Sequence, residues 1–183
     1  MRSDSRGMKM DKREKGFSLI ELLIVITIIL IIVAIALPNY HHVQMSGNET
    51  AAAGTLKTIM QDAVVYNNEY SNGYPPSLGA LGGPAGSQKG TCDNAKLLDE
   101  VMSNNGSGNT ATKNGYVYTY IPGPATGTNA QGCTNQGVVS YTVVAVPQVP
   151  GSTGRKGFYT DDSGAIRFTT DGTIPNESSP SIK

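Results

Sequence analysis

The longest apolar run of the chain lies near its N-terminus and predicts a helix that can cross a membrane. The run covers residues 17–37 and is interrupted only by Ser18, Glu21 and Thr27. Its 21 residues form a helix of about 31 Å at 1.5 Å per residue, enough to span a hydrocarbon core of roughly 30 Å. The run is too long for the apolar core of a secretory signal peptide, and no small-residue A-x-A site follows it.

After this run, apolar residues recur at spacings of three and four, which predicts an amphipathic helix over residues 38–70. The apolar stripe consists of Val43, Ala52, Leu56, Ile59, Met60, Ala63 and Val64, with Glu49, Lys57, Asp62 and Glu69 between them. Such a stripe is typical of packing against a domain of the same chain. Pro38 is a weak point of this helix. The helix should end near Tyr70, because turn-forming residues follow at 71–76.

In residues 71–183 the pattern changes to the short β-branched and aromatic runs of β-strands. Four strands are predicted, at 116–121, 138–146, 157–160 and 165–170. Residues 161–164 (Asp-Asp-Ser-Gly) should join the last two as a hairpin.

The segments between these strands are rich in Gly, Ser, Asn and Thr. A short helix is expected at 95–102, solvent-facing loops at 103–114 and 123–137, and a loosely held tail at 173–183. The predicted fold class is therefore α+β: a long N-terminal helix packed on an antiparallel sheet of about four strands, in a loop-rich globular head over 71–183.

Charge separates the first residues from the rest. Residues 1–16 carry six Lys/Arg and three acids, whereas the remainder carries eight Lys/Arg and eleven acids. The excess of positive charge should keep the N-terminus in the cytoplasm, with the head translocated. A net charge of zero and an aromatic share of 7% do not suggest a nucleic-acid-binding protein.

Glu21 is the one carboxylate within the apolar run. A carboxylate costs a few kcal/mol in lipid, so it needs a compensating contact. It can lie near the headgroups and interact with the helix macrodipole. Alternatively, cleavage before Phe17 creates an α-amino group, and the ammonium of a neighbouring subunit neutralises Glu21 in a lipid-free core.

The residues at this junction resemble the class III signal of type IV pilins and type II secretion pseudopilins. They read Lys15-Gly16-Phe17-Ser18-Leu19-Ile20-Glu21, followed by the apolar run and Pro38. The resemblance implies that prepilin peptidase, a membrane aspartyl peptidase, cuts between Gly16 and Phe17 and releases residues 1–16 as a leader. It also implies N-methylation of Phe17, a role of Glu21 in assembly, and a helix-kinking role of Pro38.

The same resemblance implies the partners. They are other copies of the chain in a helical homopolymer, prepilin peptidase, and an inner-membrane assembly platform with its motor ATPase. The precursor should reside in the inner membrane and the assembled form in a cell-surface filament. Two features depart from the family pattern: Leu30 stands where many members have Gly, and the leader is shorter if Met8 or Met10 is the start.

The leading interpretation is a structural subunit of a type IV pilus. The alternative within the family is a pseudopilin of a type II secretion system or a minor pilin. A single-pass membrane anchor carrying a binding or enzymatic domain is a third possibility, but it leaves the Gly-Phe-x-x-x-Glu arrangement unexplained.

Cys92 and Cys133 are the only cysteines. They form no Cys-x-x-Cys pair, which argues against zinc or a redox motif. They are either two buried thiols or one disulfide that closes a loop of roughly 40 residues. Export to an oxidising compartment favours the disulfide.

Catalytic patterns are missing from the sequence. His41 and His42 are adjacent and point to different sides of a helix, and no catalytic triad, metal-ligand spacing or phosphate loop is present. We expect no enzyme activity and no cofactor. Asp161, Asp162 and Asp171 are either calcium ligands or ordinary acids of turns.

Overall fold

The computed structural model describes residues 16–86, 90–106 and 108–182, without the side chains of residues 37–39 and 105. The predicted leader, residues 1–16, lies outside the described residues except for Gly16. The chain divides into two compact units, Met1–Tyr40 and His41–Lys183, which are described separately.

Helix α1 spans Leu19–Tyr70 and has 52 residues. In the first unit, its segment Leu19–Ala36 has a mean hydropathy of 3.3 and no buried residue, so it is long and apolar enough to cross a membrane. α1 is helical through position 38, and the kink predicted there stays a prediction. The predicted end at Tyr70 is confirmed: Ser71 has φ 51°, in the left-handed region that ends a helix.

In the second unit, one stripe of α1 forms half of the core. Its fully buried members are Ala52, Leu56, Ile59, Ala63 and Tyr66, and their four-three spacing keeps them on one face. The predicted stripe was wrong at its margins, because Val43 is 70% exposed and Val64 is 46% exposed. Val43 precedes Ala52 by nine residues. At about 100° of rotation per residue, this separation places the two side chains on opposite sides of the helix.

The other half of the core is a five-stranded antiparallel sheet in the order β1-β2-β3-β4-β5. Its strands are β1 Thr110–Lys113, β2 Tyr116–Pro122, β3 Tyr141–Pro147, β4 Gly157–Asp161 and β5 Arg167–Thr169. The tyrosines of this sheet fill the space beneath α1: Tyr116, Tyr118 and Tyr120 are 1% exposed or less. Tyr141 stacks on Tyr120 with ring centroids 5.5 Å apart. The α+β prediction is confirmed, and so is the hairpin between β4 and β5.

Strand β1 lies within the segment predicted as a loop at 103–114. The strand is short and polar, but Asn114 and Gly115, which follow it, both have positive φ, at 51° and 71°. Positive φ at both central residues is the geometry of a two-residue hairpin turn, which Asn-Gly favours. The turn pairs Lys113 with Tyr116, so this dipeptide was the signal for the fifth strand.

The helix predicted at 95–102 is absent, and these residues form bends and turns. Lys96 has φ 59°, which no α-helix accommodates. The reason is tertiary: the backbone N–H groups of residues 95–98 donate to carbonyls of the short helix α2, Leu78–Gly82. Helix α2 was not predicted, although Ser77 caps it by accepting a hydrogen bond from the Ala80 N–H at 3.0 Å.

Two further predictions need correction. The strand predicted at 138–146 begins at Tyr141, because Val138 instead bridges Tyr74 and Ala125. The tail is not loosely held at its end. The Phe168 N–H donates to the Pro180 carbonyl at 2.9 Å, and the Ile182 N–H donates to the Ile166 carbonyl at 2.8 Å. The tail therefore covers the outer edge of β5.

Candidate processing and assembly site

The junction at Gly16 and Phe17 precedes α1 and has no regular secondary structure. Phe17 is 83% exposed. A Cβ built on Gly16 would meet no atom of the described residues within 4 Å, apart from its two chain neighbours. A protease needs an accessible, non-helical segment, and this junction provides one within the described residues.

Glu21 lies in the first turn of α1, and its Oε2 accepts a hydrogen bond from the Ser18 N–H at 2.9 Å. This contact is half of a capping box, in which an acid at the third helical position satisfies the backbone N–H of the N-cap residue. The Ser-x-x-Glu spacing at 18–21 is the sequence signal for this role. This hydrogen bond occupies Oε2 of Glu21. Glu21 therefore has a structural role at the start of α1, in addition to the role in assembly that the resemblance implies.

The apolar side chains after Glu21 are exposed on every face of the helix in the first unit, with Leu30 at 66% and Ile35 at 67%. Contiguous apolar surface of this extent marks a membrane or protein interface. A helix that is apolar all round is stable only when it is surrounded by lipid or by other helices.

Cys92 and Cys133 form a disulfide with a Cα–Cα distance of 5.4 Å, as predicted. The bond joins the segment after α2 to the loop between β2 and β3. The Tyr66 hydroxyl, on α1, donates to the Cys92 carbonyl at 2.7 Å. The disulfide thereby ties two surface loops to each other and, through Tyr66, to the buried face of the helix.

Asp93 reinforces this connection, and sequence reasoning missed it. Its carboxylate accepts the N–H groups of Thr134 and Asn135 at 3.1 and 3.2 Å, and the Asn135 side-chain amide at 3.0 Å. Partial burial would raise the pKa of Asp93, but these hydrogen bonds outweigh it and hold the pKa below its usual value. The loop after Cys133 is therefore held by a charged acceptor as well as by the covalent bond.

A second polar cluster joins α1 to the loop between β3 and β4. Glu49 accepts the Arg155 N–H at 2.9 Å and forms an ion pair with Lys156 at 2.9 Å. The Asn48 amide donates to the Thr153 carbonyl at 2.9 Å. These contacts fix the orientation of α1 over the sheet. They lie at the N-terminal end of the buried stripe of α1, near residue 45.

The acids considered as calcium ligands cap their own turns. Asp161 accepts the Ser163 N–H at 3.0 Å, and Asp171 accepts the Thr173 N–H and hydroxyl at 3.1 and 2.6 Å. Among the described residues, no group of three or more His, Cys, Asp or Glu side chains could hold a metal ion.

Comparison with known proteins finds similarity both in the N-terminal segment and over a longer part of the chain. Residues 11–37 match the family model described as the prokaryotic N-terminal methylation motif. Two fimbrial proteins of Pseudomonas aeruginosa are each 32% identical to this chain over 122 residues, which is 59% of this chain and 79% of theirs. With a methylation motif at its apolar helix and this similarity along most of the relatives' length, the chain belongs to the type IV pilin family.

Proposed function

We propose that this chain is the structural subunit of a type IV pilus filament. The observation that carries the proposal is the apolar helical segment Leu19–Ala36, none of whose residues is buried and which begins two residues after Phe17. The relatives' description as fimbrial proteins supports the same function. In this proposal the chain contributes packing surfaces to the filament and no catalysis.

The first step is processing. Prepilin peptidase cuts between Gly16 and Phe17 and removes residues 1–16, and the new α-amino group of Phe17 is then methylated. The exposure of Phe17 supports access by the peptidase, and so does the open space around Gly16 as far as the described residues extend. Until assembly, residues 17–37 hold the precursor in the inner membrane, with the head outside.

The second step is transfer from lipid into the filament. An assembly platform and its ATPase supply the work, while the apolar side chains exchange lipid for the same helix of neighbouring copies. Glu21 follows these side chains into a core without water. One of its oxygens binds the Ser18 N–H, and the other is free to bind the α-ammonium of Phe17 of the same or an adjacent copy.

The proposal is tested by shearing surface filaments from cells, imaging them, and identifying their protein by mass spectrometry. We expect this chain to be the main component, with Phe17 as its methylated N-terminus. A deletion strain should lose these filaments. Filaments built from another pilin, with this chain at trace level or absent, would instead assign it as a minor pilin or pseudopilin.

A further inference from the structure

The inner face of the sheet, which packs against α1, is covered only as far as strand β4. One row of cross-strand neighbours runs across this face through Tyr118, Ala145, Phe158 and Phe168. The first three are 0%, 0% and 3% exposed, whereas Phe168 is only partly buried. Five strands spaced about 4.8 Å apart are wider than one helix of about 10–12 Å. A single helix therefore leaves the part of the face over β5 open.

A groove lies beside α1 at this open part of the sheet, and we call it the β5 groove. It consists of two adjoining cavities of about 230 and 200 Å³ that share Phe158 and Ile182 as lining residues. One wall is formed by Ser46, Thr50 and Ala53 of α1, and the other by Phe158, Phe168 and Ile182. Ile182 belongs to the tail that pairs with β5, and its side chain is 45% exposed. The groove is therefore an apolar surface that the subunit leaves in contact with water.

The charged residues that line the β5 groove are already paired with each other. Glu49 and Lys156 form the ion pair at 2.9 Å described above. A charged occupant would lose its water of hydration without gaining an unpaired partner, which costs free energy. The β5 groove therefore favours an uncharged, apolar occupant.

Residues 22–36 of α1 form a helical segment that needs such a surface. They contain no charged residue, and no residue of the span Leu19–Ala36 is buried in its own subunit. Neighbouring helices pack with their axes about 8–10 Å apart. The small side chains of Ser46, Thr50 and Ala53, which lie on one side of α1 at four- and three-residue spacing, allow a second helix to approach α1 this closely.

We propose that residues 22–36 of one copy lie in the β5 groove of a neighbouring copy in the filament, an inference that rests on the proposed function. The segment and the groove are different surfaces of the same chain, so the contact between them is heterologous. A heterologous contact that does not close into a ring continues into an open helical filament. Each copy then supplies its segment to one neighbour and its groove to another, and burial of apolar side chains on both surfaces stabilises the contact.

Photo-cross-linking tests the contact directly. A photoreactive benzoylphenylalanine replaces Ile182, and sheared filaments are irradiated, separated and mapped by mass spectrometry. We expect covalent dimers in which position 182 of one copy is joined to residues 22–36 of another. The matched control carries the same probe at Ile121, which is 51% exposed. Ile121 lies on the outer face of the sheet, because successive side chains of a strand alternate and the adjacent Tyr120 is buried beneath α1. This control should give no cross-link to residues 22–36.

If the probe at position 182 prevents assembly, the test uses mixed filaments from cells that also express the wild-type chain in excess. Cross-links from position 182 only to lipid, to a different protein or to other parts of this chain, in filaments that form normally, would overturn this inference alone. Equal cross-linking of residues 22–36 by the two probe positions would also overturn it. Failure of the wild-type chain to enter filaments would instead count against the proposed function.

Polar variants provide a second readout. Ile182→Asn should reduce the yield of sheared filaments about tenfold, the factor that corresponds to roughly 1.4 kcal/mol, because its amide would be buried against an apolar helix without a partner. Ile182→Val keeps the surface apolar and should leave the yield unchanged, and so should Ile121→Asn on the outer face. Total subunit and cleavage at Phe17 should be normal in all three. Normal yield from Ile182→Asn, or an equal loss from Ile121→Asn, would contradict the proposed contact.

Discussion

Replacing Glu21 separates two functions that the structure gives to one side chain. In the subunit, its carboxylate accepts the Ser18 N–H; in the proposed filament, it also carries the charge that neutralises the Phe17 ammonium. Glu21→Gln retains an oxygen that can cap Ser18 but removes the charge. Glu21→Ala removes both. The two variants together therefore distinguish capping from charge pairing.

The expected magnitudes differ enough to be told apart. Loss of a helix cap costs about 1 kcal/mol. Loss of one member of a buried ion pair costs about 3–5 kcal/mol, because the remaining charge is left unpaired. At about 1.4 kcal/mol per tenfold change, the second loss lowers an assembly constant by a hundredfold or more. If the pairing is correct, both variants fall to nearly the same low filament yield.

The assay compares sheared filaments with total subunit by quantitative immunoblot, and mass spectrometry confirms cleavage at Phe17. We expect both variants to accumulate as processed, folded subunits with few or no filaments. Normal filament yield from both variants at normal subunit level would refute the charge pairing. Loss with Glu21→Ala but not with Glu21→Gln would assign the effect to the helix cap.

Three further predictions concern other parts of the chain. Gly16→Ala should leave unprocessed precursor in the membrane, detected by intact mass. A Cβ at Gly16 would meet no atom within the described part of the chain beyond its two neighbours, so we expect the defect to arise in the complex with the peptidase; normal cleavage of the variant would contradict this prediction. Replacing Cys92 and Cys133 by serine should lower the free energy of unfolding by about 3–4 kcal/mol. Denaturant titration in detergent measures this change, and an unchanged denaturation midpoint would contradict the prediction. Burial raises the pKa of Asp62 to about 6 in the folded chain, from an ordinary value of 3.8. The folded state therefore binds this proton more tightly than the unfolded state does, and it loses stability as pH rises through this interval. Asp62→Asn should therefore match the wild type below about pH 4 and exceed its stability increasingly up to pH 7; a difference independent of pH would refute this cause.

The apolar segment could be predicted from the sequence because its physics is local. A run of 21 residues that is apolar at all but three positions has the length to cross a bilayer in any context. The Cys92–Cys133 bond was predictable because the chain has only two cysteines.

Contacts between distant residues could not be predicted in the same way. The segment 95–102 has a helical pattern, but its backbone donors bind the carbonyls of α2, and this arrangement exists only after folding. Asp93 likewise meets Thr134 and Asn135 across separations of 41 and 42 residues, a contact that sequence spacing does not indicate. Strand β1 is different, since its Asn114-Gly115 turn was present in the sequence and was overlooked.

The position of Glu21 is compatible both with a precursor held in a membrane and with assembly of the subunit into a filament. Near the middle of the apolar run, for example at position 28, a carboxylate would lie near the bilayer centre, where it costs about 3 kcal/mol or more. In the first turn it can reach the interface, interact favourably with the macrodipole and cap Ser18, so the precursor tolerates it. The same position lies four residues from the amino group that cleavage would create at Phe17. Moving the acid from position 21 to position 25, by combining Glu21→Leu with Val25→Glu, should therefore impair both membrane insertion and filament formation.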